Sequence, residues 1–292
     1  MTDGQRAVRY CGRTFTADEV EMIRRLIASD PGLNRHVLSR IVCDEVGWLA
    51  PDGRPKEMSC RVAMLRMHRD GLIALPPPLT VNANGRTRPR LTSASDPQKP
   101  ITGTARDLGE LIFRAVSTPR ESRLWNELIE RYHYLGYTPL PGAQIRYQVS
   151  SGDRLVAILG FGAAAWKLAP RDGFIGWTAA QRERNLQRVV NNARFLIPPW
   201  VKVRNLASRI LSQVAKRLVW DWSERYGYRP LLLETFVQPD RFPGTCYRAA
   251  NWIYVGRTQG RGKLDRKRLR QLPVKDVLLY PLHRRFRDGL CT

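Results

Sequence analysis

Apolar residues recur at helical spacing in three places near the N-terminus. Val20, Ile23, Leu26 and Ile27 follow Thr16 and Glu19, which stand at the spacing of a capping box. After a turn at Asp30-Pro31-Gly32, Leu38, Ile41 and Val42 share a second helical face. Beyond Pro51-Asp52-Gly53-Arg54-Pro55, Met58, Val62 and Leu65 share a third. Gly71-Leu72-Ile73-Ala74-Leu75 then reads as a short extended piece, stopped by Pro76-Pro77-Pro78. Three helices and a strand over residues 1–78 predict a small winged helix-turn-helix-like module whose third helix enters the major groove. A helical bundle capping the main domain would show the same spacing.

Residues 79–105 are rich in Pro, Ser, Thr, Asn, Gly and Arg without period, the pattern of a basic flexible linker. Over 106–292 helical and extended patterns alternate. Thr118-Pro119 opens a helix with Trp125, Leu128, Ile129 and Tyr132 on one side, leading into Tyr132-His133-Tyr134-Leu135-Gly136-Tyr137. Strands are expected at 144–149 and 155–161, a loop at 170–173, and a helix from a Thr178/Gln181 capping box to about 190. A strand at 194–197 follows. Asn205 is then placed to cap a long helix with Leu206, Ile210, Val214 and Leu218 inward, ended by Gly227. A strand at 231–237, a short helix at 245–251, a strand at 253–255 and a closing strand at 277–280 complete an α/β domain. Its expected form is a mixed sheet flanked by helices.

Charge narrows the partner. The 292 residues are 43% hydrophobic, enough for a sizeable core, and 49 Lys and Arg against 26 Asp and Glu leave a formal charge of +23. So basic a chain suits nucleic acid, an anionic membrane surface or an acidic protein. Arginine is spread through helices and loops alike, which favours DNA over a membrane. Five cysteines, Cys11, Cys43, Cys60, Cys246 and Cys291, include no CxxC and suit a reducing compartment. The polar N-terminus and the lack of a long apolar run lead to the expectation of a cytoplasmic protein with no membrane partner.

Several residues are candidates for chemistry. Glu234 sits in a strand with Leu231, Leu232, Leu233, Phe236 and Val237, where an acid must be paired, protonated or functional. It reads either as a general base or as the ion partner of Arg194. His133 and its aromatic neighbours suit a lid over a base, or core packing. Tyr247 completes a candidate catalytic pocket with Glu234, Arg194 and His133. Cys246 follows Gly-Thr at a helix start, where the dipole would lower a thiol pKa, and is otherwise an inert buried cysteine. Asn191, Asn192 and Asn251 can read a base edge or cap turns.

Lys56, Arg61 and Arg66 of the third helix are expected to touch DNA. So are Arg257, Arg261, Lys263, Arg266 and Lys267, in a stretch (257–270) whose only acid is Asp265. No HExxH, paired cysteines or compact carboxylate cluster appears, so no metal ligands are assigned. A divalent metal belongs to an alternative reading, a strand-cleaving recombinase or transposase built on Asp153, Asp172, Asp221 and Glu234.

The order strand, helix, strand, helix, strand over 194–256 resembles the GNAT acyltransferase fold. That resemblance implies acetyl-CoA, its pyrophosphate held at the helix N-terminus at Asn205 and Ser208. Asn205-Leu206-Ala207-Ser208 stands where GNAT enzymes carry a glycine-rich pattern. A closer resemblance, to the DruA family of the Druantia anti-phage system, lies in RYHYLGY (131–137), RDGFIGW (171–177), NNARFLI (191–197), NLASRIL (205–211), LLLETFV (231–237) and GTCYRAANWIYVGRTQGRGK (244–263). The DruA block is distantly similar to the phage DNA-modifying protein Mom, in which an acid ending a strand also precedes a Gly-Thr-x-Tyr turn. The resemblance implies a DNA-binding, DNA-acting protein in anti-phage defence or on a mobile element, partnered by other defence subunits such as a helicase. A non-catalytic subunit that recruits a helicase or nuclease stays open beside it.

Overall fold

A tight hairpin opens the fold. β1 (Val8–Tyr10) and β2 (Arg13–Phe15) pair antiparallel across Cys11-Gly12, both at positive φ (51° and 83°), as a two-residue hairpin turn requires. The computed structural model describes residues 7–30, 32–50, 52–79, 88–260 and 272–292. Two compact units result, Met1–Gly85 and Arg86–Thr292.

In the first unit, α1 (Ala17–Ser29) starts at the expected Thr16/Glu19 capping box, and the Asn34 side chain caps α2 (Arg35–Glu45). On α3 (Glu57–Arg69) the inward face is not the expected one. Met58 is 63% exposed and Val62 is exposed too, whereas Cys60, Ala63, Met64 and Met67 pack against Phe15, Ile23, Leu38 and Val42. Both sets have helical spacing; the hairpin and α1 supply partners for the second. The expected wing after α3 is also corrected. Residues 71–79 form no strand. Their carbonyls are taken by arginines instead, Arg24 Nε donating to Leu72 O (2.8 Å) and Arg35 Nε to Pro76 O (2.7 Å).

The second unit begins inside the stretch expected to be linker. Residues 93–95 form a 3-10 turn, and β3 (Ile101–Thr104) is followed by β4 (Leu111–Ala115). Next come α4 (Pro119–Tyr132), β5 (Ile145–Ser151), β6 (Arg154–Ala163), α5 (Ala169–Ile175), α6 (Ala179–Asn185), β7 (Val189–Leu196) and β8 (Val201–Arg204). The chain ends with α7 (Leu206–Tyr226), β9 (Leu232–Val237), α8 (Thr245–Ala249), β10 (Ile253–Arg257), β11 (Asp276–Pro281) and α9 (Phe286–Leu290). Seven strands form one sheet in the order β10-β11-β9-β7-β6-β5-β4, while β3 pairs with β8 in a small parallel ribbon. This is the expected mixed sheet flanked by helices.

Neighbouring residues on β5 show the two layers, because side chains alternate across a strand. Arg146 bonds Asn126 of α4, and Tyr147 bonds Asp221 of α7. Three local expectations change. The loop at 170–173 is the helix α5, ended by Gly176 in the left-handed region (φ 84°). The capping-box helix at Thr178 stops at Asn185, because β-branched Val189 and Val190 belong to β7. β11 does not close the sheet; it lies between β9 and β10, and β4 is the far edge.

Candidate functional site

The site is built on a divergence in the sheet. β7 and β9 are the parallel neighbours, and their pairing covers only Val189–Asn191 against Leu232–Glu234. Beyond that point β7 stays with β6 as far as Leu196, across an irregularity at Ala193, and β9 stays with β11 as far as Val237. The two strands therefore part at their C-terminal ends, where crevices in such sheets form. The Thr235 hydroxyl bridges the start of the gap by donating to Asn192 O (3.0 Å). Tyr247 OH, from α8, donates to Asn192 Oδ1 (2.8 Å).

A cavity of about 580 Å³ fills this gap. Its lining includes His133 and Tyr134 after α4, Arg194 on β7, Cys246 and Tyr247 on α8, and Lys275 before β11. No carboxylate is among the described lining residues. Arg194 is 9% exposed, and its fork is held by Thr138 Oγ1 (Nη2, 2.6 Å) and Ala193 O (Nη1, 2.8 Å). Its Nε, and Oδ1 of Asn191, are buried without a hydrogen-bond partner. Burial, and then repulsion from Arg194, lowers the pKa of Lys275. Burial also lowers that of Arg194 itself.

His133 is held neutral. Burial, then Arg194 and Lys275, push its pKa down to about 4. Leu135 N–H donates to Nδ1 (3.3 Å), which leaves the neutral ring's proton on Nε2 and makes that nitrogen a donor. The expected thiol activation is corrected: Cys246 has its pKa raised, chiefly because burial disfavours the thiolate. Burial raises the Tyr247 and Tyr134 phenols as well.

Glu234 does not join this group. It is fully buried and faces the α5 side of the sheet, where Oε2 accepts from Arg171 Nη1 (2.9 Å) and Oε1 from the Ala165 amide (2.7 Å). Its partner is Arg171, not Arg194. Arg171 also donates to Asp172 Oδ1 through Nε and Nη2, and stacks its guanidinium over Trp177 at 5.5 Å. Desolvation pushes the Glu234 carboxyl upward and Arg171 pulls it back. A sealed carboxylate in this network has no path to a substrate, so the general-base reading falls. Arg171 was hidden in what read as a loop. Lys275, the other missed residue, is a lone lysine with no motif around it.

The remaining candidates scatter. Asn205 takes a left-handed conformation (φ 61°) and makes no side-chain cap, contrary to expectation, and Ser208 Oγ donates to Asn205 O (3.1 Å). With Leu206 buried and no glycine opening the backbone, these residues do not fit a pyrophosphate. Arg66 on α3 is exposed, Lys56 is half-buried with its pKa lowered by desolvation, and Arg61 Nη2 contacts Met58 Sδ. Arg257 is paired with Asp276 (3.0 Å). Arg261, Lys263, Arg266 and Lys267 lie outside the described residues. Asp172 and Asp221 are engaged by Arg171 and Arg217. Among the described residues no group of three His, Cys, Asp or Glu could hold a metal ion, and no helix is long and apolar enough to cross a membrane.

The model of the family described as Druantia protein DruA matches residues 66–270, from within α3 through β10, with β11 beyond its end. The chain belongs to the DruA family. Membership implies a role in Druantia anti-phage defence. No curated protein matches the chain. Solved structures similar to this DruA protein include an N-acetyltransferase from Staphylococcus aureus, at 9% identity over 60% of this chain and 99% of that one, with a TM-score of 0.35. A polyamine N-acetyltransferase from Drosophila melanogaster is 12% identical over 59% of this chain and all of its own (100%), with a TM-score of 0.38. At these values the likeness carries no argument about acceptor or cofactor.

Proposed function

We propose that this DruA protein binds DNA in anti-phage defence, and that the cavity between β7 and β9 is where it holds the strand. One observation carries the reading: a buried arginine, Arg194, and a half-buried lysine, Lys275, line a cavity with no carboxylate among its described lining residues. Buried charge is costly unless paired. Elsewhere in this protein the buried arginine is fully paired, as Arg171 is with Glu234 and Asp172. A site left positive in a chain of charge +23 suits a polyanion.

The same geometry favours the recruiting subunit over the DNA-modifying enzyme. His133 is neutral and presents a donor, Cys246 and Tyr247 stay protonated, and Glu234 is sealed away. The described cavity thus offers binding groups and no activated base or nucleophile. Incubating the protein with short single- and double-stranded DNA, with and without Mg²⁺, Mn²⁺ or acetyl-CoA, tests this by gel and intact mass. Salt-sensitive binding with unaltered DNA is expected. Added mass would restore the modifying enzyme, metal-dependent nicking the recombinase, and absence of binding would remove DNA altogether.

A further inference from the structure

Arg194 and Lys275 both line the gap between two strands of the sheet, and that restricts what DNA can present to them. A volume of about 580 Å³ is that of a small-molecule site. A duplex carries its phosphates on the outside of a rigid cylinder and cannot lead one into such a gap. An unpaired strand can.

Resting on the DNA-binding reading above, we infer that the cavity receives the phosphorylated end of an unpaired DNA strand, one nucleotide deep. An internal phosphodiester carries one charge and needs an exit for chain on both sides. A terminal phosphate needs one exit and carries about −1.5 to −2 charges near pH 7, which matches two cations. Arg194 has its fork fixed by Thr138 and Ala193 and keeps Nε free for an anion. Donors in such a fixed frame bind phosphate without having to be reorganised.

The rest of the lining accounts for the nucleoside. His133 stacks on Tyr134 (centroids 5.0 Å apart, 28°), Phe242 packs against the same ring at 5.3 Å, and Arg241 lies over it at 5.5 Å. Phe242 is 47% exposed and Leu135 43%, so part of this aromatic rim is open for a base to stack on. Asn191 Oδ1, buried and unpartnered, accepts from an N–H of the ligand. Lys275, Gln238, Phe236 and Leu135 also line an adjoining cavity of about 1000 Å³, which holds Lys167 and Arg257 and no carboxylate among its described lining residues. That second cavity gives the strand a way out of the first.

The test is fluorescence anisotropy at fixed salt, with one single-stranded sequence bearing a 5′-phosphate, a 3′-phosphate or hydroxyls at both ends, and a circular form of it. A mononucleotide and inorganic phosphate serve as competitors. One phosphorylated end should bind at least tenfold more tightly than the hydroxyl-ended and circular strands. Lys275→Met should erase that preference with the melting temperature nearly unchanged; Arg194→Gln should do the same if it folds. Equal affinity for all ends would overturn the inference while leaving DNA binding intact. A mononucleotide competing as well as the phosphorylated strand would overturn the strand-end assignment in favour of a free nucleotide. If no DNA binds at all, the underlying reading fails as well.

Discussion

Arg171 Nη1 lies 2.9 Å from Glu234 Oε2, and both side chains are fully buried. The carboxylate that looked catalytic in the sequence is thus one end of an ion pair beneath the sheet. Arg171 also donates to Ala165 O (2.7 Å), so the pair ties β9 to the connection between β6 and α5. It closes one side of the divergence between β7 and β9 without entering the cavity.

Breaking that pair should cost stability, not binding. Glu234→Gln or Arg171→Met leaves a buried partner uncompensated, at about 3–5 kcal/mol. Thermal unfolding should show the loss, while DNA affinity of the folded protein changes less than twofold. Lost affinity at unchanged melting temperature would return Glu234 to the site.

Acid should weaken the fold and strengthen the complex. Arg194 and Lys275 face His133, with Tyr132, Tyr134, Tyr247 and Cys246 the other titratable groups among the described lining residues. The His133 pKa of about 4 lies below the ordinary 6.5. Between those values the unfolded chain binds more protons, so the contribution to stability is full above pH 6.5 and is lost as pH falls towards 4. A bound anion offsets the repulsion from Arg194 and Lys275 and raises this pKa. A terminal phosphate itself loses charge near pH 6, so the His133 effect is read against a His133→Gln variant: from pH 7.5 to 5.5 the parent should gain several-fold in DNA affinity relative to that variant. The same pH profile in both proteins would contradict the account.

Tyr247→Phe should cost about 1–3 kcal/mol, because it leaves the buried Asn192 Oδ1 without its donor. The measurement is denaturant unfolding of the variant beside the parent. A neutral change would mean that Asn192 finds another partner and that α8 is held by packing alone.

On α3, the two apolar stripes predict opposite outcomes. Met64→Ala should cost about 2–5 kcal/mol by opening a cavity between the hairpin and α2. Met58→Glu, at a largely exposed position, should stay within about 0.5 kcal/mol. The reverse order in thermal unfolding would restore the face first read from the sequence.

The legible parts of this protein were those written in local chemistry. The Thr16, Thr118 and Thr178 caps, the long apolar stripe of α7 and the strands that form β9 and β10 were readable, because each depends on near neighbours in sequence, whereas the start of β7 read as helix and β8 went unseen. The rest was set by distant residues. Met58 and Met64 have equally good helical spacing, and only the hairpin decides between them. Arg171 and Arg194 are equally plausible partners for Glu234 until α5 brings the first one in. Arg194, His133, Cys246 and Tyr247 do line one cavity, whereas Lys275 reaches it from beyond a basic stretch that hides a single lysine.

The salt dependence of single-stranded DNA binding, compared between the parent protein and Lys275→Met, tests the central claim most directly. Each phosphate neutralised on a single strand contributes about 0.7 to the slope of log affinity against log salt. Removing the cavity lysine should weaken binding at low salt and reduce the slope by roughly that amount. An unchanged affinity and slope would place the DNA elsewhere on the protein and leave the cavity between β7 and β9 without its proposed role.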